Sequence, residues 1–276
     1  MSNRFKNYFK KSKLKIIIFL ILLIILIVFL LFLIYNTLKT YNSVKSMSES
    51  LINFSKNNEN TIFSINKVVF FSSADSKLKT GSVSNFTIEN LYTYTDIALF
   101  INNNSDTYTM ENTLKSLKIE NIKINNLPKI GTPNLYYKDL NKFANSEFLD
   151  ENKINSMLDF TIISDDTADF STPVLYNNCA NPIVLSLVNQ NIKTDYTITD
   201  TSIPITYDGT LLTRCNVNIQ DIACSLSFDI YIVNNNNEKF KTTVYLEIPY
   251  SDSESSILDG SITVFKDTNF IFYKYE

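Results

Sequence analysis

The chain has 276 residues, with 25 Lys and Arg against 28 Asp and Glu, no histidine, no tryptophan, four glycines and three cysteines. The absence of histidine excludes Ser-His-Asp and Cys-His catalysis, His-ligated zinc or iron and an imidazole pH switch. Gly81, Gly131, Gly209 and Gly260 lie too far apart to form a phosphate-cradling loop.

Residues 1–15 carry Arg4, Lys6, Lys10, Lys11, Lys13 and Lys15 and no acid. They lead into residues 16–35, IIIFLILLIILIVFLLFLIY, a run without charge, Gly or Pro. As a helix this run is about 30 Å long, the apolar thickness of a bilayer. Its insertion is favourable by about 6 to 11 kcal/mol on a translocon scale. The positive-inside rule then puts residues 1–15 in the cytoplasm and everything after the span outside, with the lipid bilayer as partner of residues 16–35. Signal-peptide cores run about 7 to 15 residues, and the small-residue site Val44-Lys45-Ser46 falls well past the apolar run, so the span reads as an uncleaved signal anchor.

Leu38, Tyr41, Val44, Met47, Leu51 and Phe54 fall on one helical face, which predicts a helical stalk over residues 36–60. From residue 61 the period changes to two. Strands are predicted over 62–71, 85–90, 96–102, 114–124, 157–164, 182–188, 203–207, 222–233, 240–248, 261–266 and 269–275, all rich in Ile, Val, Phe, Tyr and Thr and bounded by Asn, Asp, Ser or Pro. The clearest hairpin turns at Asn234 to Lys239. Helical pattern is brief, at 138–144 and 150–156.

This series predicts a mainly β protein: residues 61–276 form an antiparallel, immunoglobulin-like β-sandwich outside the membrane. Residues 128–148, with two prolines and a glycine, read as an inter-domain connection or as one long decorated loop. One elaborated sandwich is favoured over two modules, because the segment before residue 128 supplies few strands for a two-sheet core.

Motifs and ligand residues point to little chemistry. Ser76-Lys-Leu-Lys79-Thr80-Gly81 contains overlapping S-x-x-K and K-T-G patterns, but one lysine cannot serve both. Cys179, Cys215 and Cys224 fall on the oxidising side of the membrane. Cys179 with Cys224 is the first disulfide candidate, Cys215 with Cys224 the rival, and three independent thiols the alternative. The acidic stretches 164–169 and 251–260 carry oxygen ligands suited to calcium but match no EF-hand, and read as solvated turns. Tyr92, Tyr94, Tyr136, Tyr137, Phe270, Phe272, Tyr273 and Tyr275 are expected to fill the sandwich core or its edges rather than a sugar-binding face.

No catalytic, cofactor-binding or metal-ligating residue emerges. All 28 acids follow the span, so the outer part repels nucleic acid, and an envelope protein is the expected partner. The expected role is binding or structural, without enzymatic activity. A carboxylate-dependent hydrolase acting on glycans is the alternative, since two carboxyl groups need no histidine.

Overall fold

The computed structural model describes residues 26–35, 37–38, 62–79, 86–104, 109–165, 168–193, 197–198, 210–249 and 262–275. Two compact units divide the chain, Met1–Glu59 and Asn60–Glu276. In the first, residues 26–35 and 37–38 are helical, and every side chain from Leu26 to Tyr35 is exposed, by 44% to 64%. Among the described residues no helix is long and apolar enough to cross a membrane. Residues 16–25 of the expected span and 39–60 of the expected stalk lie outside the described residues.

The second unit is mainly β. In chain order its strands are β1 (Phe63–Lys79), β2 (Phe86–Asn103), β3 (Leu114–Asn125), β4 (Thr132–Tyr137), β5 (Lys153–Ile154), β6 (Leu158–Ile163), β7 (Val174–Tyr176), β8 (Ile183–Lys193), β9 (Thr197–Ile198), β10 (Cys224–Asn234), β11 (Lys239–Ile248), β12 (Ile262–Ile271) and β13 (Tyr273–Lys274). They form two sheets. Sheet I runs β12-β1-β2-β8-β4-β5, with β9 also on β2, and sheet II runs β13-β11-β10-β3-β6-β7. Every pairing is antiparallel except β6 with β7, a departure from the all-antiparallel expectation. Thr161, Ile162 and Ile163 of β6 stand opposite Val174, Leu175 and Tyr176 of β7 in this parallel register.

Alternation along the strands builds one core between the sheets. Phe63, Ile65, Phe70, Ile97 and Leu99 of sheet I belong to the same buried cluster as Leu226, Phe228, Ile230 and Val244 of sheet II. Each such side chain contributes about 1.5 to 3 kcal/mol through burial. On β11 the pattern is nearly ideal: Phe240, Thr242, Val244, Leu246 and Ile248 are buried while Thr243, Tyr245 and Glu247 are exposed. The hairpin from β10 to β11 forms where predicted, and Asn237 takes the left-handed conformation in its turn.

Several expected boundaries move. The predicted strands 85–90 and 96–102 are one strand, β2, and β1 runs on to Lys79. Polar cross-strand pairs carry the continuation, with the hydroxyls of Ser72 and Thr95 2.9 Å apart and Tyr92 donating to Asp75 at 2.8 Å. The helices expected at 138–144 and 150–156 shrink to single turns, Leu140–Lys142 and Asp150–Asn152. Predicted strand 203–207 lies outside the described residues.

Residues 128–148 supply β4, which pairs with β8, and then a strap across the outer face of sheet I. Leu140 and Phe143 of the strap pack on Val69, Ala98 and Val184. The Phe148 ring lies 5.2 Å from Tyr136 and 5.7 Å from Tyr92. The middle of β8, from Ile183 to Asn189, is consequently buried on both faces. A second small core forms where Leu211, Leu212, Val217, Ile219 and Ile222 cover Ala74, Leu91 and Ile192.

Candidate functional site

Apart from Asp229, which is buried among its hydrogen-bond partners, the outward residues of sheet II remain uncovered by any described residue comparable to the strap. On β10 and β11 they are Ser227, Asp229 and Tyr231, and Lys241, Thr243, Tyr245 and Glu247. The register sets Tyr231 opposite Lys241 and opposite Lys118 of β3. Both ammonium groups accordingly lie over the Tyr231 ring, at 5.0 Å and 5.3 Å, and Tyr275 meets its edge at 5.9 Å.

Beside Tyr231, Asp229 accepts hydrogen bonds from Thr243 Oγ1 at 2.6 Å and Asn121 Nδ2 at 2.8 Å, and Lys241 Nζ lies 3.0 Å away. Asn121 reaches it because its left-handed backbone (φ 55°) bulges β3 at that point. Partial burial pushes the Asp229 carboxyl up, but the bonds from Thr243 and Asn121 and the Lys241 charge outweigh it and hold the group below its usual value.

Farther along β11, Tyr245 is 51% exposed and stands between two hollows. One, of about 280 Å³, is lined by Asn126, Gln220, Cys224, Ser225 and Pro249, and the other, of about 210 Å³, by Phe70, Lys266, Thr268 and Phe270. Tyr245 and Glu247 belong to both walls. An exposed phenol between two shallow recesses, with an amide, a carboxylate and a lysine at hand, suits a polar, aromatic protein contact. A third hollow, about 350 Å³, opens beside β4 and β5 and is lined by Ile122, Ile124, Pro133, Asn134, Leu135, Lys153, Ile154 and Asn155.

A different cluster lies under the strap. Asp96 and Lys138 are 0% and 2% exposed, with Lys138 Nζ 3.3 Å from Asp96 Oδ2. The same oxygen accepts the Ala144 amide at 3.0 Å, and Lys138 also donates to the Asn145 carbonyl and sits 5.6 Å from the centre of the Tyr94 ring. Burial raises the carboxyl and lowers the ammonium, against the opposing pull of each charge on the other. Burial also lifts the Tyr94 phenol to about 12.

Asp75 and Asp96 share this outer face but are poorly placed as a glycosidase pair. Asp75 is opposite Tyr92, and Asp96 is opposite Phe71. They are therefore four ladder positions apart, about 13 Å at the usual strand rise, whereas paired glycosidase carboxyls lie about 5 to 9.5 Å apart.

The cysteines of the expected disulfide are both thiols. Cys224 opens β10 inside the main core and Cys179, left-handed at φ 61°, packs against the same cluster from the turn after β7. Burial raises both thiol pKa values, to about 11 for Cys224 and about 12 for Cys179. Ser76 to Lys79 lies on β1 rather than at a helix start, so the S-x-x-K pattern lacks its context. Among the described residues no group of three His, Cys, Asp or Glu could hold a metal ion. The acidic stretch 251–260 lies outside them, as do Asp166 and Thr167 of the other.

The aromatics divide between the two regions. Tyr92, Tyr94 and Tyr136 lie under the strap, Tyr137 and Phe272 join the main core, and Tyr275 reaches the open face of sheet II. Sequence reasoning passed over Asp96, Lys138, Asp229, Tyr231 and Tyr245. The signal for the first was present: an acid between Thr95 and Ile97 in an alternating strand takes the face opposite the core.

Compared with known proteins, the chain matches no protein family, no curated protein and no solved structure.

Proposed function

We propose that this protein is a single-pass, membrane-anchored surface protein whose immunoglobulin-like sandwich binds another protein of the cell envelope through the open face of sheet II. The observation that carries the reading is the contrast between the two outer faces, one roofed by its own chain and the other presenting Tyr231, Tyr245, Lys118, Lys241 and Asp229. Tyrosine offers a large contact area at low entropic cost and is enriched in protein interfaces. Here Tyr231 is already held by two lysines and Tyr275, so little order remains to be imposed on binding.

The anchor at residues 16–35 rests on its charge-free apolar run and the six basic residues before it. The exposed apolar side chains around the helix from Leu26 to Tyr35 support it, because such a surface is stable in lipid and costly in water. The partner is expected to be basic or mixed in charge, given the acid excess after the span.

Crosslinking on intact cells carrying a C-terminally tagged chain, followed by mass spectrometry, tests the binding role. The expected result is one reproducible envelope protein joined through residues of β3, β10 or β11. Crosslinks confined to sheet I, or no protein neighbour at all, would overturn it. External protease tests the topology: it should digest the C-terminal tag and spare an N-terminal one, and the reverse pattern would overturn the anchor orientation.

A further inference from the structure

The geometry around Lys138 points to a covalent crosslink: we propose that Lys138 Nζ and the Asp96 carboxyl condense into an intramolecular amide. This bond would tie the end of β4 to β2 across β8. It is independent of the partner-binding role.

Four observations support the reaction. Nζ lies 3.3 Å from Asp96 Oδ2, so the amine and the carboxyl are already held in contact with no translational freedom left to lose. Both side chains are essentially sealed from solvent, at 2% and 0% exposure, which disfavours hydrolysis of the product. Burial shifts the two groups toward the neutral amine and the neutral acid, the pair of protonation states that can react. The Ala144 amide donates to Oδ2 at 3.0 Å and is placed to stabilise the oxyanion that forms when the carbon is attacked.

The surroundings fix the encounter. Lys138 continues the β4 ladder, its own amide bonding to the Val184 carbonyl at 3.0 Å. Its Nζ also donates to the Asn145 carbonyl of the strap. Ser186 faces Asp96 directly across the ladder between β2 and β8. Its hydroxyl is the candidate to relay a proton to the departing oxygen.

The step balances without any co-reactant. The amine lone pair forms the new bond from Nζ to Cγ, the bond from Cγ to the carboxylic acid hydroxyl breaks, and that hydroxyl leaves as water with one proton from Nζ. Nothing is oxidised or reduced.

The test is the intact mass of the full-length chain, purified, reduced and fully denatured. We expect a mass one water below that of the sequence, and a protease digest containing a branched peptide that joins the segment bearing Asp96 to the segment bearing Lys138. Lys138→Arg, which cannot form the amide, should restore the full mass. Wild-type chain at full mass would overturn the proposal, as would a one-water deficit mapped to any other residue pair. Because the first readout is the wild-type mass, it holds even if the variant does not fold.

Discussion

The two sheets begin from the same alternation and end with opposite outer faces. Sheet I turns Val69, Tyr94, Asp96, Ala98, Val184 and Val188 outward, and the chain from Lys138 to Phe148 folds back over them. Sheet II turns Lys118, Asp229, Tyr231, Lys241 and Tyr245 outward, and its polar groups satisfy one another at the surface. Each face holds an aspartate and a lysine about 3 Å apart, one pair sealed from solvent and one at its edge. A buried pair makes a layer depend on its partners, whereas a partly exposed pair leaves a layer free to meet something else.

Removing Asp96 should have the largest effect. Asp96→Ala leaves Lys138 buried beneath the strap without its partner, whether that partner is an ion or an amide carbonyl, and loss of one member of a buried pair costs about 3 to 5 kcal/mol. Chemical denaturation of residues 60–276 as part of the full chain should show a midpoint shift of that size. A loss below about 1 kcal/mol would mean that the strap opens readily and that the two faces differ less than their burial implies.

Next comes the glycine that lets β4 approach β8. Gly131 has φ +91°, and a methyl group there would run into the side chain of Asn189, which donates to the Ile130 carbonyl at 3.0 Å. Gly131→Ala combines backbone strain with this collision, so a loss of about 1 to 3 kcal/mol is expected. Hydrogen exchange should show the damage spreading from β4 into residues 138–148, while β10 and β11 keep their protection. Equal loss of protection in both sheets would deny that the strap is a feature of sheet I alone.

Acid should separate the two aspartates. Asp229 has its pKa lowered on folding, so its contribution to stability is present above the unfolded carboxyl value of about 4 and is lost as pH falls through the folded value. Asp96 as a free carboxyl has its pKa raised, so the folded state holds that proton more tightly, and once joined to Lys138 it does not titrate at all; in either form acid does not weaken the fold through it. Asp229→Asn should therefore flatten the acid side of the stability curve and cost about 1 to 2 kcal/mol near neutrality. An unchanged acid limb in this variant would assign the limb to other carboxyls.

These contrasts also explain how much could be read from sequence. Alternation in β10 and β11 made their hairpin legible, because one face meets the core and the other meets water. The same rule misread β2, where Asn90 and Asp96 looked like strand ends. Asp96 sits mid-strand because Lys138, forty-two positions later, covers it. β4 was hidden within a stretch whose Pro128, Gly131 and Pro133 read as a connection. Pro133 fits because it lies in a short strand near the sheet margin. No local pattern announces the open face of sheet II as a site, since its tyrosines have the spacing of any half-buried strand.

The smallest effect on stability should accompany the largest effect on binding. Tyr245 is half exposed, lies in both hollows and makes no ring contact among those described, so Tyr245→Ala should change stability by no more than about 0.5 kcal/mol. If the open face binds a partner, the same truncation removes a central aromatic anchor, and such losses reach about 2 kcal/mol or more, roughly thirtyfold in affinity. Capture of the crosslinked neighbour on intact cells should then fall steeply while the melting transition stays in place. The Asp96→Ala chain supplies the converse, with stability reduced and capture retained at temperatures where the fold persists. Should Tyr245→Ala leave capture unchanged and Asp96→Ala abolish it in chain that is still folded, the partner would be reading the strap of sheet I, and the assignment of the two faces would have to be exchanged.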